Sequence, residues 1–251
     1  MANILERPLI TITNIIWSFN QATQQIQVLL VKRAHDPFKN NWALPETFMR
    51  ANESADHAAL RLIKEKIGLT LAEFHTEQLA TFTNQHRTTG ERALSLAYMT
   101  FLPEMTPLQA GYGALDVRWF AFTPLEAAYQ LSNQDCLFQT TTTTADEYYQ
   151  DLPQTPSDQQ LAFDHQWILT VACQRILNKL DYQPNILMIL GPSFTLREAR
   201  TIYAAFRKTS LTAIDNSNFK KTHQHLFLEA GTTSQLRVGR PARLYRLKPQ
   251  N

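Results

Sequence analysis

The sequence predicts a mixed α+β protein in two parts: an α/β/α sandwich followed by a winged helix-turn-helix. Three observations carry that reading. In the first half, stretches rich in β-branched and apolar residues flank one amphipathic helical segment. In the last third, helix-spaced segments give way to strand, turn and strand. The charge also changes sign. Residues 1–154 hold 11 Lys and Arg against 16 Asp and Glu, whereas residues 155–251 hold 13 against 6. We therefore divide the chain into an acidic unit, 1–155, and a basic unit, 156–251, made of a linker helix and the winged helix. A basic unit beside an acidic one fits a nucleic-acid-facing module or a surface that merely happens to be basic, and charge alone does not choose between them.

The elements follow in order. Pro8–Phe19 and Gln25–Arg33, separated by polar Asn20–Gln24, predict a strand pair. Glu53–Ile67 predicts a helix, because Ala55, Ala58, Ala59, Leu62, Ile63 and Ile67 fall on one side, with Ser54 as N-cap and Gly68 as stop. Leu79–Thr83, Ala93–Leu102 and Arg118–Phe122 predict further strands. Pro124–Gln160 contains five consecutive threonines, Thr140–Thr144, without apolar alternation. It predicts a short helix at about Leu125–Leu131 and then a long loop, a solvated Thr-rich insertion over about 132–158. From Leu161, the residues Phe163, Trp167, Ile168, Val171, Ala172, Arg175, Ile176 and Lys179 step at helical spacing. An apolar run, Asn185–Leu190, precedes a Gly191–Pro192 break and a second helix from about Thr195. A third helix begins near Asp215–Ser217, and Phe227–Ala230 and Arg243–Leu247 form the strands of the wing.

Several classes are set aside. No run approaches the ~18 apolar residues that span a membrane, and the N-terminus lacks the regions of a signal peptide, so a cytoplasmic location is expected. Cys136 and Cys173 form neither a metal-ligand spacing nor a disulfide framework. No cofactor is called for.

The most informative stretch is Trp42–Leu69, WALPETFMRANESADHAALRLIKEKIGL. It resembles the Nudix signature, G-x5-E-x7-R-E-U-x-E-E-x-G-U with U apolar. Glu53, Arg61, Ile63, Glu65, Gly68 and Leu69 match, whereas Thr47 replaces the glycine and Leu62 and Lys66 replace two glutamates. The signature's glutamates hold Mg²⁺ against a diphosphate. An ammonium about 4 Å from a divalent ion costs several kcal/mol even at an effective dielectric near 20. Hence no catalytic residue and no metal site are expected, with Glu65 the one weak candidate ligand and Glu53–Arg61 kept as a structural pair. A ligand pocket remains. Lys66, Arg87 and Arg92 would supply charge to a phosphate, Phe38 would stack on a ring, and Glu46 would accept from a ribose hydroxyl. The blander alternatives are a packing phenylalanine and a solvated lysine.

In the basic unit, the segment Ser217–Leu226 places Phe219, Thr222, His223 and Leu226 on an inward side. Ser217, Lys221 and Gln224 face away and suit base edges, while Asn218 and Lys220 suit phosphates. Arg237 and Arg240 sit on the wing tip, where a minor groove or phosphates favour them.

Together the two units resemble the NrtR-type Nudix-related transcriptional regulators. The likeness rests on WALP (Trp42–Pro45), QLATF (Gln78–Phe82), RALSLAY (Arg92–Tyr98), LAFDH (Leu161–His165), FTL (Phe194–Leu196), NFKK (Asn218–Lys221) and GRPARLYR (Gly239–Arg246). The resemblance implies a homodimeric DNA-binding regulator, usually a repressor, that binds a palindromic operator. It implies an effector such as ADP-ribose or another NAD-related metabolite, or in other branches a sugar. It also assigns recognition roles to Asn218, Lys220, Lys221 and Arg240, and a coupling role to Asp164–His165. The chain departs from the family at Glu46-Thr47, where Gly-Gly is usual, and at Gln85–Thr88, where an aspartate-rich run is usual. The alternatives are a Nudix hydrolase of ADP-ribose-like nucleoside diphosphates, a sugar-responsive regulator, or a winged helix that contacts protein.

Overall fold

The computed structural model describes residues 7–69, 76–150, 156–233 and 241–249. A large mixed sheet is built around β1 (Leu9–Asn20), which pairs antiparallel with β2 (Gln25–Arg33) and parallel with β6 (Ala93–Phe101). β5 (Thr76–Phe82) flanks β6, and β7 (Ala114–Pro124) flanks β2. Two short strands, β3 (Trp42–Ala43) and β4 (Glu46–Phe48), pair with β2 and β1. β1 is central and nearly all buried, which is why it reads as a continuous apolar and β-branched run.

Helix α1 (Ala55–Ile67) covers one face of the sheet. The Ser54 hydroxyl accepts from the His57 amide at its start, and Gly68 ends it at a φ of 74°. Its buried stripe, Ala58, Ala59, Leu62, Ile63 and Ile67, packs on Ile12, Ile16 and Tyr98. The opposite face carries Ile15, Trp17 and Phe19 of β1 into a second core, shared with the rest of the chain.

The stretch after β7 differs from the expectation. No helix forms at Leu125–Leu131. Leu125–Ala128 is instead a tight bend, with the Leu125 amide donating to the Ala128 carbonyl, 2.9 Å. β8 (Tyr129–Asn133) and β9 (Cys136–Gln139) then extend the sheet as a hairpin. The reason is period two: Tyr129 and Leu131 point inward with Phe138, and Tyr129 stacks on Phe122 at 4.9 Å. The Thr-rich run is likewise ordered. Thr140 exchanges hydrogen bonds with the backbone of Tyr129, and Thr144 with Glu147 starts α2 (Ala145–Gln150).

Helix α3 (His165–Lys179) crosses the second face of the sheet and leads through a 3-10 turn, Asn185–Leu190, into the winged helix. There α4 (Leu196–Phe206) begins with a complete capping box between Thr195 and Glu198. α5 (Asn216–His223) is capped by Asp215 and is shorter than the expected Ser217–Leu226; within it Phe219 and His223 point inward, whereas Thr222, expected on the same side, is exposed. β10 (Phe194–Thr195), β12 (Arg243–Leu247) and β11 (Phe227–Thr232) form the small sheet in that order.

The winged helix sits directly on the large sheet. Phe206 of α4 packs against Trp17 and Phe122 at 5.8 and 5.1 Å between ring centres, and its carbonyl accepts from the Tyr129 hydroxyl at 2.6 Å. Each such aromatic pair adds roughly 0.5–1.5 kcal/mol beyond its buried area.

Candidate functional site

The Nudix-like segment is a folded scaffold. Arg61 grips Glu53 with two bonds, Nε to Oε2 at 2.8 Å and Nη2 to Oε1 at 2.6 Å. The same guanidinium reaches the Phe48 carbonyl at 2.9 Å and Glu65 at 2.8 Å. Arg50 takes the other oxygen of Glu65, 2.9 Å. Both Glu65 oxygens are thus occupied by arginines. Leu62 is fully buried against Ile12 and Tyr98, a place where a carboxylate would be stripped of water. Among the described residues, no three His, Cys, Asp or Glu side chains gather into a group that could hold a metal ion.

Beside this scaffold lies a cavity of about 500 Å³ between α1, β1, the turn after β2 and the loop before β7. Its wall includes Arg33, Glu46, Phe48, Lys66, Tyr112 and Phe163. Of the five residues expected at a ligand, Glu46 and Lys66 line it, and Phe38, Arg87 and Arg92 do not. Phe38 follows a cis Asp36–Pro37 bond, turns into the core and packs on Phe163 at 4.7 Å. The aromatic faces offered to the cavity are therefore Phe163, Phe48 and Tyr112. Arg87 is 1% exposed and bonded to Asp164, so its charge is spent inside the protein. Arg92 is exposed beside the rim residues Glu91 and Ala93.

Sequence reasoning missed Arg33, Tyr112 and Phe163. The signal for Tyr112 was present in Gly111-Tyr112-Gly113. A Cβ at Gly111 would lie 2.0 Å from the Glu65 carbonyl, and Gly113 has a φ of 75°. Two glycines thus press the Tyr112 backbone onto the end of α1, where its carbonyl accepts from Lys66 Nζ at 2.6 Å.

The cavity is tied to α3 through LAFDH. His165 is fully buried. Its Nδ1 accepts from the Leu44 amide at 3.0 Å, so Nε2 carries the proton and donates to Glu46 Oε2 at 3.0 Å. Burial pushes the Glu46 carboxyl up, but the His165 hydrogen bond and the Arg87 charge outweigh it and hold the pKa at about 2. One residue earlier, Asp164 accepts from two Arg87 nitrogens, Nε and Nη2, at 3.0 Å each and from the Tyr148 hydroxyl at 2.8 Å. A side chain on the cavity wall therefore touches the first residue of the helix that leads to the winged helix.

On the winged helix, α5 exposes Ser217, Asn218, Lys220, Lys221 and, just past its end, Gln224. Lys220 is partly drawn aside to Glu229, 3.5 Å. His223 bonds to the Phe219 carbonyl and to Asp181, which explains its inward position without a metal. Arg237 and Arg240 lie outside the described residues.

Fold and site define a class: a cavity-bearing α/β/α sandwich joined to a winged helix with a polar, basic third helix. The chain belongs to the NUDIX domain family, matched over residues 11–139, and residues 186–247 match the NrtR DNA-binding winged helix domain. A MutT/nudix family protein from Enterococcus faecalis is 31% identical over 99% of this chain and 89% of its own, with a TM-score of 0.85. An ADPR responsive transcriptional repressor from Acinetobacter baylyi is 27% identical over 97% of this chain and 84% of its own. The Shewanella oneidensis NrtR complexed with a 27mer DNA shares the fold, with a TM-score of 0.65 at 24% identity, covering 95% of this chain and 93% of that one. No helix among the described residues is long and apolar enough to cross a membrane.

Proposed function

We propose that this protein is a DNA-binding transcriptional repressor that senses ADP-ribose or a related NAD metabolite in the cavity and does not hydrolyse it. The observation that carries the reading is the Glu46–His165 contact, which links the cavity wall to α3 and so to the winged helix. A ligand hydroxyl that hydrogen-bonds to Glu46 competes with His165 for the carboxylate, which gives the ligand a handle on the start of α3. The size of the cavity, its aromatic side chains and its mixed charges, with Arg33 and Lys66 for phosphates and Glu46 for a hydroxyl, suit a nucleoside diphosphate sugar. The loss of the engine fits the same reading: Leu62 and Lys66 stand at two glutamate positions, and Glu65 is held by Arg50 and Arg61.

Within this reading the protein works as a cytoplasmic homodimer on a palindromic operator. Ser217, Asn218, Lys221 and Gln224 read the duplex, with Lys220, Arg237 and Arg240 adding charge. Residues 1–155 form the sensor, and 156–251 the linker helix and reading head. Electrophoretic mobility shift with the upstream promoter duplex, with and without ADP-ribose, tests it. An ADP-ribose-dependent change in the shifted fraction supports the reading. Mg²⁺-dependent cleavage of ADP-ribose that vanishes in Glu65→Ala supports a hydrolase instead.

A further inference from the structure

Two cations face the cavity, and neither forms an ion pair with a carboxylate among the described residues. Arg33 donates from Nε to the Pro37 carbonyl at 3.0 Å and lies 4.7 Å above the Phe163 ring. Lys66 donates to the Tyr112 carbonyl and lies 5.6 Å from the centre of its ring. Both side chains are half-buried. They are close enough to repel: burial first, and then the Arg33 charge, pull the Lys66 ammonium below the ordinary lysine value, and the nearby Glu46 and Glu65 carboxylates, the one committed to His165 and the other to Arg50 and Arg61, offset only part of this. A desolvated pair of like charges on one wall is a standing cost that an entering anion would relieve.

Lys66 is also held in place. It occupies the last turn of α1, at the position of the signature's final glutamate. A Cβ at Gly113 would come 2.9 Å from its Nζ, and Gly113 holds a φ of 75° that side chains rarely adopt, so the glycine keeps the loop close against the lysine. An ordinary solvated lysine has no such cradle.

We propose that Lys66 and Arg33 form a metal-independent anion subsite for the effector's diphosphate, with the Lys66 ammonium standing where a metal-binding glutamate would otherwise stand. The inference rests on the effector reading above. It adds that the cationic charge facing the phosphates is covalently part of the chain, so Mg²⁺ is not required for binding. Arg33 offers a planar fork to one phosphate, and Lys66 a point charge to the other. Phe163 and Tyr112 already carry these two cations on one face, and the exposed Phe48 ring remains for a base or sugar ring.

Isothermal titration of ADP-ribose into the full-length protein, once in Mg²⁺ and once in EDTA, tests the subsite. Wild type is expected to bind equally in both. Lys66→Ala should lose about 10- to 150-fold in affinity in both buffers, the value of a charge-assisted hydrogen bond, and Lys66→Arg should regain most of it. Lys66→Glu should bind weakly in EDTA and improve when Mg²⁺ is added. Thermal unfolding of each variant checks that it folds. Binding that needs Mg²⁺ in wild type, or a folded Lys66→Ala with unchanged affinity, overturns the subsite and leaves the effector reading standing. Absence of ADP-ribose binding by wild type in either buffer overturns both.

Discussion

Arg87 and Asp164 form the deepest charge pair described, with side chains 1% and 0% exposed. The pair is bidentate, at 3.0 Å for each bond, and Tyr148 adds a third donor to the carboxylate at 2.8 Å. Asp164 occupies the N-cap of α3 but makes no side-chain cap bond, so its charge is committed to Arg87 and Tyr148. Replacing Arg87 with Met keeps much of the volume and strands the carboxylate in the core. Removing one partner of a buried pair costs about 3–5 kcal/mol, or roughly a hundred- to a few-thousand-fold in the folding equilibrium at 1.4 kcal/mol per decade. Removing both is a different perturbation, because an apolar pair of similar size is often neutral. Urea unfolding at pH 7 of wild type, Arg87→Met, Asp164→Leu and the double variant measures this, with the m-value checked for constancy. The two single variants should each fall by several kcal/mol and the double should recover much of the loss. A single-variant loss below about 1 kcal/mol, or a double variant as unstable as the sum of the singles, refutes the reasoning.

Other outcomes follow from the same geometry. Glu53, hydrogen-bonded by Arg61, has its pKa lowered from 4.5 to about 2. A depressed folded pKa means stability that is full above the unfolded value and lost as the pH falls through the folded one. Glu53→Gln should therefore be less stable at pH 7 and show a flatter acid limb between about pH 5 and 2, read by thermal melts across pH. Tyr129→Phe removes the hydroxyl that caps the Phe206 carbonyl between the large sheet and the winged helix, and should cost about 1–3 kcal/mol in chemical denaturation. Lys221→Ala removes an exposed cation from α5. It should cost about 1–3 kcal/mol in binding the promoter duplex and relax the preference at the base it reads, without changing urea stability.

How much was legible depends on where the information lies. β1, β2, β6, α1 and the winged helix announced themselves through local periodicity, because each buries one face or both within a short window. The β8–β9 hairpin did not. Its inward residues are only Tyr129, Leu131 and Phe138, and the α4 partner of Tyr129, Phe206, lies 77 residues away. The cavity was half legible. Glu46 and Lys66 sit inside a signature of known spacing, and so could be placed without a structure. Arg33 from the end of β2, and Tyr112 and Phe163 from two separate turns, meet only when the sheet forms. Arg87 misled because an arginine in a polar loop reads as exposed, and its partner Asp164 lies 77 residues away. His165 could be named from LAFDH, but that it reaches Glu46 follows from α3 starting against β4.

The central claim is that the cavity and the reading head are one thermodynamic system, joined through Glu46 and His165. Fluorescence anisotropy of a labelled promoter duplex, titrated with the protein at zero and saturating ADP-ribose, tests it most directly, with His165→Ala measured in parallel. Wild type should change its DNA affinity by about 5- to 150-fold between the two conditions. His165→Ala should still bind both ligands but lose most of that difference. A wild-type affinity that stays the same with the cavity filled, or a His165→Ala variant that responds as wild type does, would contradict the account.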